Sequence, residues 1–176
     1  TFDEDFARLL AHIDASKSGP VELVLNGDIF DFDNITSFPR DNSQEVNWLA
    51  RMRGLASERW MSCYKIERII HDHPVWFDSL KQFRESGNRV VFVLGNHDVE
   101  LSWPRVQDLI CRRLGLPENP SPDESIDFCT WFYISNQDTY ISHGHQYDPN
   151  CVVTNPITPL ISINGNPRVR IPFGDL

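Results

Sequence analysis

The chain has 176 residues, enough for one domain with a sizeable core, and its 40% hydrophobic and 23% charged content is that of an ordinary globular protein. A formal charge of -9 and a pI near 5.0 argue against non-specific nucleic-acid binding, which needs a Lys/Arg surface. They leave a phosphorylated small molecule open, because a bound metal can reverse the local sign of a site.

Phe2, Phe6, Leu9, Leu10 and Ile13 share one helical face, with Asp3, Glu4 and Asp5 early, where the helix dipole favours anions. Gly19-Pro20 ends that helix. Val21 to Leu25 then reads as a strand buried on both faces of a parallel sheet. Helix, turn and buried strand in this order predict an α/β layering. Phe32 to about Asn42 is polar and reads as loop. Val46 to Ile70 carries apolar residues at helical spacing, with a break near Gly54.

Pro74 opens a further helix through Phe83 that Gly87 closes, and Val90 to Leu94 is a second buried strand. Ser102 is the expected N-cap of a helix that Gly115 ends. Phe128 to Ile134 and Thr139 to Ser142 are expected to pair around an Asn-Gln turn. No apolar run reaches the roughly 18 residues of a membrane span. Cys63, Cys111, Cys129 and Cys151 form no CxxC pair and read as reduced thiols of a cytoplasmic protein.

One pattern recurs. "VELVLNGDIFDF", "RVVFVLGNHD" and "DTYISHGHQYD" each run from an apolar strand into potential metal ligands beside a glycine. Taken singly, Asp28 is a turn carboxylate, Asn96 a turn residue and His143 a polar group at a sheet edge. Independent turns have no reason to repeat strand, glycine and ligand three times. In open α/β sheets, sites form beyond the carboxyl ends of the strands, so neighbouring strands would make Asp28, Asn96 and His143 converge. Carboxylate, amide oxygen and imidazole suit Mn, Fe or Zn. One carboxylate can bridge two such cations. The run His71-Asp72-His73 lies at a helix junction with no strand to deliver it, and is read as structural.

"GDIFD", "GNHD" and "SHGH" resemble the second, third and fourth motifs of the calcineurin-like metallophosphoesterases. The resemblance implies a four-layer α/β fold, a β-sheet sandwich flanked by helices. It implies a single domain over 1–176, with a helical insertion near 44–86. It implies two divalent metal ions, with Asp28 bridging them and Asn96 and His143 holding the second. His97 would be the catalytic histidine and Asp98 would orient it. The expected activity is binuclear metal-dependent hydrolysis of a phosphoester or pyrophosphate in a phosphorylated small molecule, by attack of metal-bound hydroxide.

The family's first motif, Asp-x-His, would lie upstream of Thr1. "GHQY" at Gly144 to Tyr147 has tyrosine where the last motif, Gly-His-x-His, carries its second histidine. The expectation is therefore a domain incomplete at both ends. The alternative is a phosphoesterase-like domain with an incomplete metal site, serving as a protein-interaction module. Substrate, physiological metal and oligomeric state are left open.

Overall fold

The computed structural model describes residues 1–35, 57–117, 125–163 and 165–170. Its scaffold is a parallel sheet of three strands in the order β1-β2-β3: β1 (Glu22–Asn26), β2 (Arg89–Val93) and β3 (Ile126–Cys129). Register pairs Asn26 with Val93, so β1 and β2 end level with one another. Val90 to Val93 are fully buried, as a continuous apolar run in a central strand requires. β1 is only partly buried along its length, because β2 alone pairs with it among the described residues. The expectation of burial on both faces therefore holds for β2 and not for β1.

Among the described residues, four helices flank the sheet: α1 (Phe2–Ser16), α2 (Arg59–Asp72), α3 (Pro74–Glu85) and α4 (Pro104–Arg113). α1 packs on α3 and α2 on α4. Leu10 of α1 is buried, and Phe6 stacks on Trp76 with ring centroids 5.0 Å apart. Phe2 and Leu9, expected on the same face, are exposed. The face in contact is narrower than the periodicity suggests. α3 buries Trp76, Phe77, Leu80 and Phe83, and Gly87 follows it with a positive φ of 84°, the left-handed stop that glycine supplies. The mixed α/β architecture with a parallel sheet is the one expected. Of the expected helical insertion, residues 44–56 lie outside the described residues, and the rest contains α2 and α3.

Two further readings change. Phe128 to Ile134 is not one strand. Its first part belongs to β3, in parallel register with β2, and the chain breaks at Thr130 and Trp131 before β4 (Phe132–Ser135). β4 then pairs antiparallel with β5 (Thr139–Ser142) through a turn whose Asn136 and Gln137 both have positive φ, as a primed hairpin turn needs. Ser102 is likewise no N-cap. It lies buried in a 3-10 turn, Val99–Ser102, and Trp103 takes the cap position, its indole donating to the Ser57 carbonyl at 3.1 Å. A second hairpin, β6 (Leu160–Ile163) with β7 (Asn166–Val169), ends the described chain. All four cysteines are free thiols, and burial pushes those of Cys111 and Cys129 up to about 11. No helix among the described residues is long and apolar enough to cross a membrane.

A buried ion pair braces the turn after β2. Lys65 of α2 reaches both oxygens of Glu100, at 3.1 and 3.3 Å, and the Ser62 hydroxyl donates to the same carboxylate at 2.8 Å. Burial raises the Glu100 pKa, and Lys65 and Ser62 oppose that shift by favouring the ionised form. Lys65→Met leaves a charge without a partner, and urea denaturation should show a loss of about 3–5 kcal/mol. Adding Glu100→Leu should recover most of it. A single mutant within 1 kcal/mol of the parent would show that the pair does not hold this turn.

Candidate metal centre

The level ends of β1 and β2 set the site. Two residues past β1, Asp28 turns back in a left-handed conformation with φ 49°, which Asp tolerates better than most side chains. Its Oδ1 accepts the backbone N–H of His97 at 3.1 Å. The loop after β2 thus closes directly on the loop after β1.

Two glycines make this approach possible. A Cβ on Gly95 would stand 2.2 Å from Asp28 Oδ1 and 2.4 Å from the Asp28 nitrogen. A Cβ on Gly27 would stand 2.2 Å from His143 Nδ1, and Gly27 also has φ 77°. A side chain at either position would collide with the facing residue unless that residue shifted.

Asp98 ties the two loops from beneath. It is fully buried, and its carboxylate accepts the N–H groups of Gly95 at 2.5 Å and Ile29 at 2.8 Å. Burial pushes its pKa up to about 6, while these backbone donors pull the other way. The resemblance gave Asp98 to His97. Here its oxygens are engaged by the backbone amides of Gly95 and Ile29, which fix the loop that carries His97.

His143 arrives from outside the parallel sheet. β5 is part of the hairpin, not a neighbour of β1, and side chains attach the two. Tyr133 and Ser135 of β4 donate to the Glu22 carboxylate at 2.5 and 2.7 Å, and Asn26 donates its amide to the Ser142 carbonyl at 3.1 Å. His143 therefore lands with Nε2 3.1 Å from Asp28 Oδ2. Its Nδ1 stands 3.0 Å from the Asn26 carbonyl. A carbonyl only accepts, so Nδ1 carries the proton, and in the neutral ring Nε2 is a lone pair. That lone pair faces a carboxylate oxygen. Two acceptors at this distance are compatible when a proton or a cation lies between them. An imidazole whose far N–H is fixed by a carbonyl is also the usual arrangement of a metal-binding histidine. The donor set fits a divalent cation.

Asn96 is buried, between Gly95 and His97, the two residues in contact with Asp28. The His97 side chain groups with Asp31 and Asp33, one donor atom from each lying within 4.8 Å of the others. Asp33 was not singled out from the sequence; its only signal was the acid-x-acid spacing ahead of a 3-10 turn (Phe32–Asn34). His145 is buried beside His143, ring centroids 5.4 Å apart, and its Nδ1 has no hydrogen-bond partner among the described residues. Burial pushes its pKa down to about 4, so the ring is neutral at pH 7. His71 and His73 take no part: they pair with Asp72 and Asp3 at the α2–α3 junction, as expected.

The site lies beyond the carboxyl ends of parallel strands, where open α/β sheets place their ligands, and it gathers oxygen and nitrogen donors suited to divalent cations. Residues 2–173 match the family model of the calcineurin-like phosphoesterases, and the chain belongs to that family. No curated protein and no solved structure matches the chain. Membership supports a phosphoesterase-type hydrolase of a family that generally binds divalent metals.

Gly95→Ala should fold but displace the Asp28 carboxylate. Titration with Mn(II) should show affinity lowered about 10- to 100-fold, the usual cost of disturbing what positions a ligand. Unchanged affinity in a folded variant would contradict this account of the loop contact.

Proposed function

We propose that the chain is a metal-dependent hydrolase of phosphate esters, its cations held by Asp28, Asn96 and His143. The observation that carries this reading is the contact between Asp28 Oδ2 and His143 Nε2, a carboxylate facing an imidazole lone pair. Asp28 has two oxygens facing different neighbours, one toward the His97 loop and one toward His143, as a residue shared by two cations would need. Asn96 would add its amide oxygen from the adjoining loop. When bound, the two cations would lower the pKa of an attacking water and neutralise charge on the phosphoryl group.

His97 then acts on the departing oxygen. Its backbone is fixed by the Asp28 contact, and Asp31 and Asp33 stand close to its ring. A protonated imidazole there can give its proton to a leaving alkoxide. Asp31 in turn is held by Asn34, whose backbone N–H reaches one carboxylate oxygen at 3.3 Å and whose side-chain amide reaches the other at 2.5 Å. The reading leaves monoesters, diesters and pyrophosphates open as substrates, since each offers non-bridging phosphoryl oxygens to the cations.

Metal analysis and kinetics test this reading together. The protein should carry about two transition-metal ions, and Asp28→Ala should lose both, since one residue serves two cations. His97→Ala should keep its metal and lose about 10²- to 10⁴-fold in kcat on a phosphate ester with a poor leaving group. A protein that binds no divalent ion would point to the interaction module instead. A fully metallated His97→Ala with normal turnover would remove the histidine from the reaction.

A further inference from the structure

A cleft of about 280 Å³ lies between the start of α1, the loop after β1, and helices α2 and α3. Its apolar walls are Phe2, Ile29, Phe30, Ile35, Ile69 and Trp76. Its polar groups are Asp3, Asp31, Asn34 and His73. Asp3 is paired with His73 at 2.9 Å, and Asp31 is tied to Asn34. Asp31 belongs to two places at once, lining the cleft and standing with His97 and Asp33 in the donor cluster. Ile29 and Phe30 follow Asp28 directly in the chain. The cleft therefore begins where the proposed site ends, on the His97 side.

We infer that this cleft receives the apolar part of the alcohol released in the reaction, so that the substrates are phosphate esters of apolar alcohols. The inference rests on the hydrolase reading above, which places the leaving oxygen at His97. Size and charge both support it. An apolar cavity of roughly 150 Å³ holds one benzene ring in another protein, so this space suits about a two-ring or hexyl-sized group. Asp3 and Asp31 repel a second phosphate or a carboxylate, which disfavours polyphosphorylated or acidic alcohols. The phosphoryl group goes to Asp28, Asn96 and His143, and the uncharged remainder to the walls around Trp76.

Alkyl phosphates from methyl to hexyl keep the leaving-group chemistry nearly constant while the apolar length grows. For the manganese-loaded full chain, kcat/KM should rise about fourfold for each methylene that enters the cleft. The hexyl-to-methyl ratio should fall toward one in Ile35→Asp and in Phe2→Asp; Phe2 is 75% exposed, so its substitution does not threaten the fold. A ratio near one in the parent enzyme overturns the inference. Calorimetry with 2-naphthol on metal-free protein reads the cleft without turnover. Saturable one-to-one binding, weakened about tenfold or more by either substitution, supports the cleft even if every ester is inert, and that inertness would count against the hydrolase reading alone. Absence of naphthol binding to the parent overturns the cleft, including the case in which another part of the chain fills it.

Discussion

Everything in the site depends on one crowded carboxylate. Asp28 sits where three distant segments touch: its own loop after β1, the loop after β2 through the His97 N–H, and the end of β5 through His143. The contact exists because β1 and β2 pair in parallel and end at the same level. It is as close as it is because Gly27 and Gly95 present no Cβ to it. A negative charge held against an imidazole lone pair is unfavourable unless something positive joins them. A proton or a cation meets that need, and the residue types suit a divalent cation.

The surrounding structure keeps that arrangement in place. Asp98 fastens the two loops through the amides of Gly95 and Ile29, and the buried Lys65–Glu100 pair secures the turn that follows. Each places an ionisable group where desolvation costs energy, and each offsets that cost with specific donors. Such polar groups beneath a loop add little to net stability but fix where its backbone runs. Next to the phosphoryl site the polar network gives way to the apolar walls of Ile29, Phe30 and Trp76. Charge at one end and hydrocarbon at the other is a division of labour that suits an amphipathic ester.

Much of this was legible in the sequence, and the reasons are local. Val90 to Leu94 is a long enough apolar run to specify a central strand, and the strand–glycine–ligand pattern marked Asp28, Asn96 and His143 before any geometry was known. That the strands before Asp28 and Asn96 are neighbours was only a condition in the sequence, and the parallel register of β1 with β2 meets it. The delivery of His143 did not, because β5 belongs to a hairpin attached through Glu22 and Asn26, contacts that no periodicity announces. Phe128 to Ile134 has one apolar pattern but two partners, so its division at Thr130 is a tertiary decision. Lys65 and Glu100 look like solvent residues in any helical pattern and are buried only because they meet. The cluster of His97 with Asp31 and Asp33 depends on a 3-10 turn whose shape the letters do not convey.

The central claim is that Asp28, Asn96 and His143 share a cation, and anomalous diffraction from crystals grown with Mn(II) tests it most directly. The account predicts a strong anomalous peak in contact with the Asp28 carboxylate and His143 Nε2, with the Asn96 side-chain oxygen completing the set. Peaks confined to Asp31, Asp33 and His97, or none near Asp28 at saturating manganese, would contradict it.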